Sequence, residues 1–491
     1  MPTKERAMTV PAQHIPTRTL VDPATVRQAV LAIVGCRRPT LPDADVHIIP
    51  VSGGVDSSAV ALVLTALFPE TRFLLVFSDT GVEAAGTYES LARIEAGTGE
   101  RISRVRKEED LFEIVASFGS FLPSGQARYC TRLAKIQPYQ AFLEAVRERY
   151  GADARIATYV GIRADEGERS AGDYGSASST HFPLRDLGLS KRQVFQLLER
   201  TVGIPSFYAE RSRSGCAVCI FSRRSEVIAQ WHRDPETLAR ASRLEKLSEA
   251  ESAALSALPT PVAVQLGVGR NHLQYPVPGD VLEREVLPWE RLRDARRRQD
   301  RSTPDLFGLE ASRRLFVAVE YTRFWDGFQW QQAFQRLATY SPTLGGLTTA
   351  LKHYWKHRLD TREAMLCYSE ADLCDEVHIG VFEVLVEDAA NLVVAGERAY
   401  TWQSDGTPLL AIRKTTAVLE NILLAAELTR LAARGAADRF DRELLERAQQ
   451  RPVRAGGEVV WCGLFERPTE AALADDSDVR AAPEPCVSCS R

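Results

Sequence analysis

Between the apolar run Val46-His47-Ile48-Ile49-Pro50 and the apolar stretch Ala59 to Leu67 stands the octapeptide Val51-Ser52-Gly53-Gly54-Val55-Asp56-Ser57-Ser58. The order strand, glycine pair, helix lets the backbone approach a ligand closely, because two adjacent glycines carry no side chain to hold it away. Ser52, Ser57 and Ser58, with the free N–H groups of a helix start, can hold phosphate oxygens, so an anion site is the first expectation. The segment has no lysine and is shorter than a Walker A loop, which excludes a γ-phosphate clamp of that kind. Gly, Asp and Ser are also ordinary turn and cap residues, so a plain turn into an N-capped helix is the competing reading. The flanking strand and helix favour the ligand site.

The neighbouring segments set the fold class. A helical stretch near Asp22 to Val34 precedes the loop, and Arg72 to Phe77 suits a strand buried on both faces. A helix near Glu83 to Ala96, a strand over Arg101 to Val105, helices near Asp110 to Ala116 and Ile136 to Tyr150, and a strand over Ala154 to Val160 follow. This alternation predicts an α/β fold, a parallel sheet with helices on both faces. Ligands of such sheets sit at the carboxyl ends of the strands, where the glycine loop falls.

Two further segments follow predicted strands: Ser78-Asp79-Thr80-Gly81-Val82-Glu83, and Gly161-Ile162-Arg163 with Glu166 and Arg169. The octapeptide resembles the SGGxDS loop of the PP-loop ATP pyrophosphatases. With these two segments the chain is similar to the phosphoadenosine-phosphosulfate (PAPS) reductase-like branch, over about residues 45 to 230. The resemblance implies an adenine nucleotide alpha hydrolase-like fold. It also implies ATP with Mg²⁺ at Ser52, Gly53, Gly54, Asp56, Ser57, Ser58, Asp79, Gly161, Arg163 and Arg169, split between its α and β phosphates. Asp56, Ser57, Lys135 and Arg163 are then the expected catalytic positions. Asp79 can orient a ribose hydroxyl or a magnesium-bound water, and Arg163 or Arg169 can meet a phosphate with a planar fork. Arg163 reads equally as a surface salt bridge with Asp165 or Glu166, and Lys135 as a solvated lysine at a helix start.

The cysteines narrow the chemistry. Cys216-Ala217-Val218-Cys219 is a CxxC in a turn, and Cys130 stands at a family position where reductases that bind APS and carry a cluster have a cysteine pair. Three thiolates can hold a [4Fe-4S] cluster and leave one iron open for sulfide, an arrangement that resembles some tRNA-thiolating PP-loop enzymes. The alternative is structural Zn²⁺, with Cys462, His181 or His232 as fourth ligand. The catalytic ECGLH-like tail of PAPS reductases is missing; a second CxxC, Cys486 to Cys489, follows the polar stretch Glu470 to Asp478 instead. Cys36, Cys367 and Cys374 read as packing residues.

The nine cysteines among 491 residues are too sparse and uneven for a secreted disulfide framework. With a mixed polar N-terminus and no apolar run near the ~18 residues of a membrane span, a cytoplasmic protein is expected, with no membrane partner. The net charge of −4 leaves nucleic-acid binding to a local patch, for which Arg291 to Arg301 is the candidate, though Asp294 and Asp300 within it also fit a solvated helix face. The organisation expected is an extension over residues 1–44, the PAPS reductase-like domain over 45–235, a connector over 236–304, a mostly α-helical region over 305–465 and a tail over 466–491. The helices expected in that region are Ser312 to Phe324, Trp330 to Thr339, Leu347 to Trp355, Glu376 to Ala389 and Lys414 to Arg434. Phe324, Trp325, Phe328 and Trp330 are expected as core or as a base-stacking surface.

The function expected is ATP-dependent adenylylation of an acceptor for sulfur insertion, in the manner of PAPS reductase-like components of DNA sulfur modification, with a sulfur donor such as a cysteine desulfurase as partner. Reduction of PAPS or APS, or a nucleotide-binding subunit of a defence complex, are the alternatives.

Overall fold

Asp22 opens the first element: its carboxylate accepts the Thr25 N–H at 2.9 Å and caps helix α1 (Pro23–Val34), which begins on a proline whose missing N–H costs a first turn nothing. The computed structural model describes residues 21–167, 178–213, 215–247, 314–325, 330–360, 377–386, 401–403, 406–433 and 457–465, with isolated positions 249, 253, 467, 468 and 473. The expectations for Arg169, the run Arg291 to Arg301, Phe328, Cys367, Cys374, Cys486 and Cys489 lie outside these residues, as do the side chains of Phe324, Trp325 and Trp330.

Strand β1 (Val46–Pro50) leads through the glycine loop into helix α2 (Val55–Leu67), and β2 (Phe73–Ser78), α3 (Thr87–Thr98), β3 (Ile102–Val105) and α4 (Leu111–Ser117) follow. A π-helical turn, Arg132–Ile136, runs into α5 (Gln137–Tyr150), then come β4 (Ile156–Tyr159), β5 (Ser179–His181) and α6 (Lys191–Arg200). The five strands form a parallel sheet in the order β3-β2-β1-β4-β5, in register through pairs such as Ile48↔Leu74 and Ile48↔Thr158. The α/β reading therefore holds. Alternate residues along each strand face opposite ways. Ile49, Phe73, Leu75 and Ala157 pack with α1, α2, α3 and α6, while Val46, Ile48, Val76 and Ile156 pack with Tyr139, Leu143 and Val146 of α5. Because β2 and β4 lie on opposite sides of β1, the loop after β1 opens at the switch point of the sheet, where α/β ligands bind.

Helices α7 (Arg224–Arg233) and α8 (Pro235–Ser242) lead out of this domain. Beyond it the sequence expectation needs correction. Ser312 to Phe324, Trp330 to Thr339 and Glu376 to Ala389, expected as helices, are instead β6 (Arg314–Trp325), β7 (Trp330–Ser341) and β8 (Val377–Val386). With β9 (Gly457–Phe465) they form an antiparallel sheet in the order β7-β6-β8-β9. Its two faces are both covered: Phe316, Ala318, Ile379 and Val381 meet helix α9 (Leu344–Asp360), while Val317, Val319, Phe382 and Val384 share a core with Ile412, Leu419 and Leu423 of helix α10 (Leu409–Ala433). A strand buried on both sides loses the polar alternation that would mark it, and these strands are 10 to 12 residues long, which favours a helical reading. The helices expected at Leu347 to Trp355 and Lys414 to Arg434 are present, within α9 and α10 apart from Arg434, which lies outside the described residues. Among the described residues no helix is long and apolar enough to cross a membrane.

Candidate active site

The glycine loop is shaped by its own serines. Ser57 Oγ accepts the Ser52 N–H at 3.0 Å and lies 3.1 Å from Ser52 Oγ, and the Ser58 hydroxyl donates to the Gly54 carbonyl at 2.7 Å. Gly53 has φ +71°, a left-handed conformation that favours glycine, and its carbonyl accepts from Ser90 Oγ at 2.9 Å. The N-cap of α2 is Gly54, which makes no side-chain cap bond, so the helix start presents backbone N–H groups to the crevice.

Asp56, in the first turn of α2, is fully buried and pairs through Oδ1 with Arg163 Nη1 at 2.7 Å. Burial pushes its carboxyl up to about 6, partly offset by the Arg163 guanidinium beside it. Arg163, itself 5% exposed, also reaches Asp165 through Nε at 3.0 Å and Glu166 at 3.9 Å. Sequence proximity suggested the last two carboxylates at the surface; the shortest pair joins residues 107 positions apart in the interior. Asp56 Oδ2 is buried without a hydrogen-bond partner among the described residues. An orphaned carboxylate oxygen beside a helix start is the kind of group that a magnesium ion carrying a polyphosphate satisfies, so these residues fit Mg²⁺ and ATP.

Gly161, after β4, lies against this turn: a Cβ there would stand 2.8 Å from the Asp56 carbonyl carbon and 3.0 Å from Ser57 N. The loop after β2 completes the rim. Asp79 accepts the Gly81 N–H at 2.8 Å and the Tyr88 hydroxyl at 3.0 and 3.1 Å. Burial, and then the bond to Asp79, hold the Tyr88 phenol well above its ordinary range. Glu83 folds back on the same loop, accepting from Thr80 N at 3.2 Å and Thr80 Oγ1 at 2.6 Å.

The CxxC segment lies directly on that loop. Cys216 and Glu83 form an antiparallel bridge, Ala217 N donates to the Val82 carbonyl at 2.8 Å and Ala84 N to the Gly215 carbonyl at 3.2 Å. Cys130, Cys216 and Cys219 line one pocket with Thr80, Lys135 and Trp402. Cys216 Sγ is 3.5 Å from Thr80 Oγ1, and Arg213 Nη2 donates to Cys219 Sγ at 3.8 Å. Burial pushes the Cys216 thiol up to about 12, while Lys135 pulls the other way. Lys135 sits in the π-helical turn, whose carbonyl at that residue accepts from Ser78 Oγ at 3.3 Å. Three sulfurs facing one pocket have the donor chemistry of an iron–sulfur or zinc site. As the chain is folded, no three His, Cys, Asp or Glu side chains among the described residues are spaced to hold a metal. The donor set matches in kind and is too open in spacing.

The site residues expected from sequence thus fall into two neighbouring groups, the loop set with Asp56, Gly161 and Arg163, and the thiol set with Lys135. Sequence reasoning missed Tyr88 and Trp402 and gave Glu83 no role. Glu83 had a signal, the Thr-x-x-Glu spacing from Thr80. Trp402, which comes to the pocket from the C-terminal part and donates Nε1–H to the Ala241 carbonyl at 2.9 Å, had none.

Residues 47–201 match the family described as phosphoadenosine phosphosulfate reductase domain. An uncharacterized protein of Methanocaldococcus jannaschii is 35% identical over 115 residues, which are 23% of this chain and 22% of that relative, so the chain spans about a fifth of its relative's length. In structure the chain is similar to phosphoadenylyl-sulfate (PAPS) reductase from Candida auris in its phosphate complex, at 18% identity and a TM-score of 0.25, over 35% of this chain and 77% of that one. Residues 47–201, with the glycine loop at the switch point of their parallel sheet, thus form a domain that matches the PAPS reductase family.

Proposed function

We propose that the chain is an ATP-dependent sulfurtransferase-type enzyme that adenylylates an acceptor oxygen and assists its replacement by sulfur. In the first step the acceptor oxygen bonds to the α-phosphorus of ATP, the bond to the β-phosphate oxygen breaks, and pyrophosphate leaves. In the second, sulfide attacks the activated centre and AMP leaves with the oxygen; the sulfide is freed from the persulfide of a donor of the cysteine desulfurase class by a reducing thiol, which ends in a disulfide with the carrier cysteine. The observation that supports this reading is the convergence of Cys130, Cys216 and Cys219 with Lys135 on a pocket whose Thr80 follows Asp79 of the nucleotide loop.

In this reading Ser52, Gly53, Gly54, Ser57, Ser58 and the α2 N–H groups cradle the phosphates, and Asp56 faces the metal with Oδ2. Arg163 is a positioning residue: it holds Asp56 through Oδ1 and keeps the loop after β4 against α2. Asp79, fixed by Gly81 and Tyr88, faces the ribose or a metal-bound water. Lys135 provides positive charge where the leaving group forms. Were Cys130, Cys216 and Cys219 to draw closer together than they stand in this fold, a [4Fe-4S] cluster held by them would supply an open iron for sulfide, and Zn²⁺ at the same thiols would have a structural role. Arg213 favours a sulfur anion at Cys219. DNA, tRNA and small molecules are the acceptor classes.

Two measurements test the reading. Pyrophosphate release from ATP should depend on Asp56, with Asp56→Asn lowering it by at least about a hundredfold. Protein purified anaerobically should carry iron and acid-labile sulfide that fall sharply in Cys130→Ala and Cys219→Ala. Unchanged iron in both variants would remove the cluster. Sulfite release from PAPS with thioredoxin, in place of pyrophosphate release, would make the enzyme a sulfonucleotide reductase, a reading that the family match over residues 47–201 also favours.

A further inference from the structure

Helix α4 ends at Ser117, and the chain then turns through Gly119 at φ +62° and Ser120 at φ +58°. Ser120 alone among the described non-glycine residues takes a positive φ, a conformation that costs a side chain energy and that its surroundings must hold. The holding bonds are present. Gly119 N donates to the Ala116 carbonyl at 2.9 Å, Ser120 N to the Val115 carbonyl at 3.1 Å and Phe121 N to the Phe118 carbonyl at 3.3 Å, while the Tyr129 hydroxyl donates to the Phe121 carbonyl. This turn leaves Phe118 49% and Phe121 39% exposed. Tyr129 meets both rings, at 4.8 Å from Phe118 and at 6.3 Å from Phe121, the second pair within 24° of parallel. A contiguous group of exposed rings marks a contact surface, as single scattered ones do not.

The rings stand beside the thiols. Pro123 and Arg128 of the same segment line the pocket with Cys130, Cys219 and Phe221. The Phe221 ring carries two guanidinium groups, Arg128 at 5.7 Å and Arg213 at 5.1 Å, and Arg213 reaches Cys219 Sγ at 3.8 Å. The sign of charge is one-sided in both segments that meet here. Residues 114–143 contain Arg128, Arg132 and Lys135 and no Asp or Glu, and residues 211–225 contain Arg211, Arg213, Arg223 and Arg224 and none, in a chain of net charge −4. Arg211 and Arg224 are engaged on the Cys216 and Tyr340 carbonyls, at 2.8 and 2.9 Å, whereas Arg132 and Arg223 are exposed. Glu226, the first carboxylate after the second segment, is buried and accepts the N–H groups of Ser212 and Arg223 at 2.8 and 2.9 Å.

We infer that the rings of Phe118, Phe121 and Tyr129, with Arg128 and Arg213, form a surface that binds single-stranded nucleic acid by stacking its bases at the mouth of the thiol pocket. Every base has a π face, so stacking on aromatic rings and guanidinium planes accepts any sequence. Each nucleotide of a strand brings both complements that this surface asks for, a flat base for the rings and a phosphate for the arginines. An apolar protein face brings only the first. A duplex keeps its bases stacked on one another and offers the rings nothing, which selects the single strand. A strand held here has its bases beside Cys130 and Cys219, where sulfur would be handed over. That the strand is the acceptor rests on the proposed function; that the surface binds it does not. DNA and RNA share this chemistry.

The test uses the full chain, fluorescence anisotropy and three labelled single strands of about ten nucleotides: DNA, RNA of the same sequence, and a DNA backbone of abasic sites. Phe118→Ala, Phe118→Trp and Arg128→Gln are compared with the parent, with thermal unfolding to confirm the fold. The parent should bind a base-bearing strand at least about tenfold tighter than the abasic one. Phe118→Ala should weaken the base-bearing strand roughly five- to tenfold and leave the abasic strand unchanged, and Phe118→Trp should keep the parent's affinity. Arg128→Gln should weaken both and reduce the slope of log K against log salt by about 0.7. The tighter of DNA and RNA names the source of the strand. Equal affinity of the parent for base-bearing and abasic strands, equal affinity of parent and folded Phe118→Ala for the base-bearing strand, or no binding of any strand would each overturn the inference and leave the rings to a protein partner. The abasic comparison is made on the parent and does not depend on any variant folding. No ATP is present, so a failure here and a failure of pyrophosphate release are separate results.

Discussion

Gly161 shows how much of the proposed nucleotide site depends on one missing methyl group. Its Cα faces the backbone of Asp56, and an added Cβ would lie 2.9 Å from the Asp56 carbonyl oxygen, which is main chain and cannot swing aside. Gly161→Ala is therefore expected to push the β4 loop off the start of α2 and to loosen the Asp56–Arg163 pair. The cost should be about 1–3 kcal/mol in denaturant unfolding, with nucleotide affinity by calorimetry falling more than about tenfold. Parent-like affinity in a folded variant would show that the close approach does not matter. At this scale the sequence was informative where chemistry is local: the serines, glycines and Asp56 stand within eight positions of one another. It was uninformative where partners are distant, as with Arg163 and Asp56, because no spacing rule links residues brought together only by strand order.

Helix α10 begins on a carboxylate from far upstream. Glu245 accepts Leu409 N at 2.9 and 3.0 Å and Trp402 N at 3.4 Å, and it is 7% exposed. A helix start and the backbone N–H groups of Leu409, Trp402 and Leu410 favour a negative charge, yet burial outweighs them and pushes the carboxyl up to about 8. The native state thus binds a proton at neutral pH that an unfolded glutamate, ordinarily near 4.5, has released. By linkage this contribution to stability is complete below about pH 4.5 and declines as pH rises toward 8. Glu245→Gln should flatten that decline and raise stability above pH 7, by roughly 4 kcal/mol at pH 8 and with a higher melting temperature there. Equal pH profiles for the two proteins would contradict it. The elements themselves were unevenly legible. Those of the parallel sheet announced themselves through βα alternation and short apolar strands, whereas β6, β7 and β8 are long, belong to a sheet whose described residues are covered on both faces, and read as helices. Covering a sheet on both sides erases the periodicity on which the distinction depends.

Across the molecule, the two sheets are joined by one apolar core. Val82, Leu111, Phe112, Val218 and Ile220 of the first domain share it with Val317, Phe382, Trp402 and Ile412. A chain ending at residue 247 would leave the first group exposed to water, so it should elute as aggregate and lose cooperative unfolding, as size exclusion and calorimetry would show. A monomeric, cooperatively melting fragment would mean the first domain stands alone. Fold class was legible over this domain alone; the shared core was not, since its members are apolar residues without any mark of destination. The antiparallel bridge between Glu83 and Cys216 has a mechanical corollary. The strap that carries Asp79 at one end is stitched by main-chain bonds to the thiol segment at the other, so the two travel as a single lever. If a nucleotide binds as proposed and draws Asp79 inward by a fraction of an ångström, Cys216 would be towed with it, and occupancy of one half would be felt as displacement in the other.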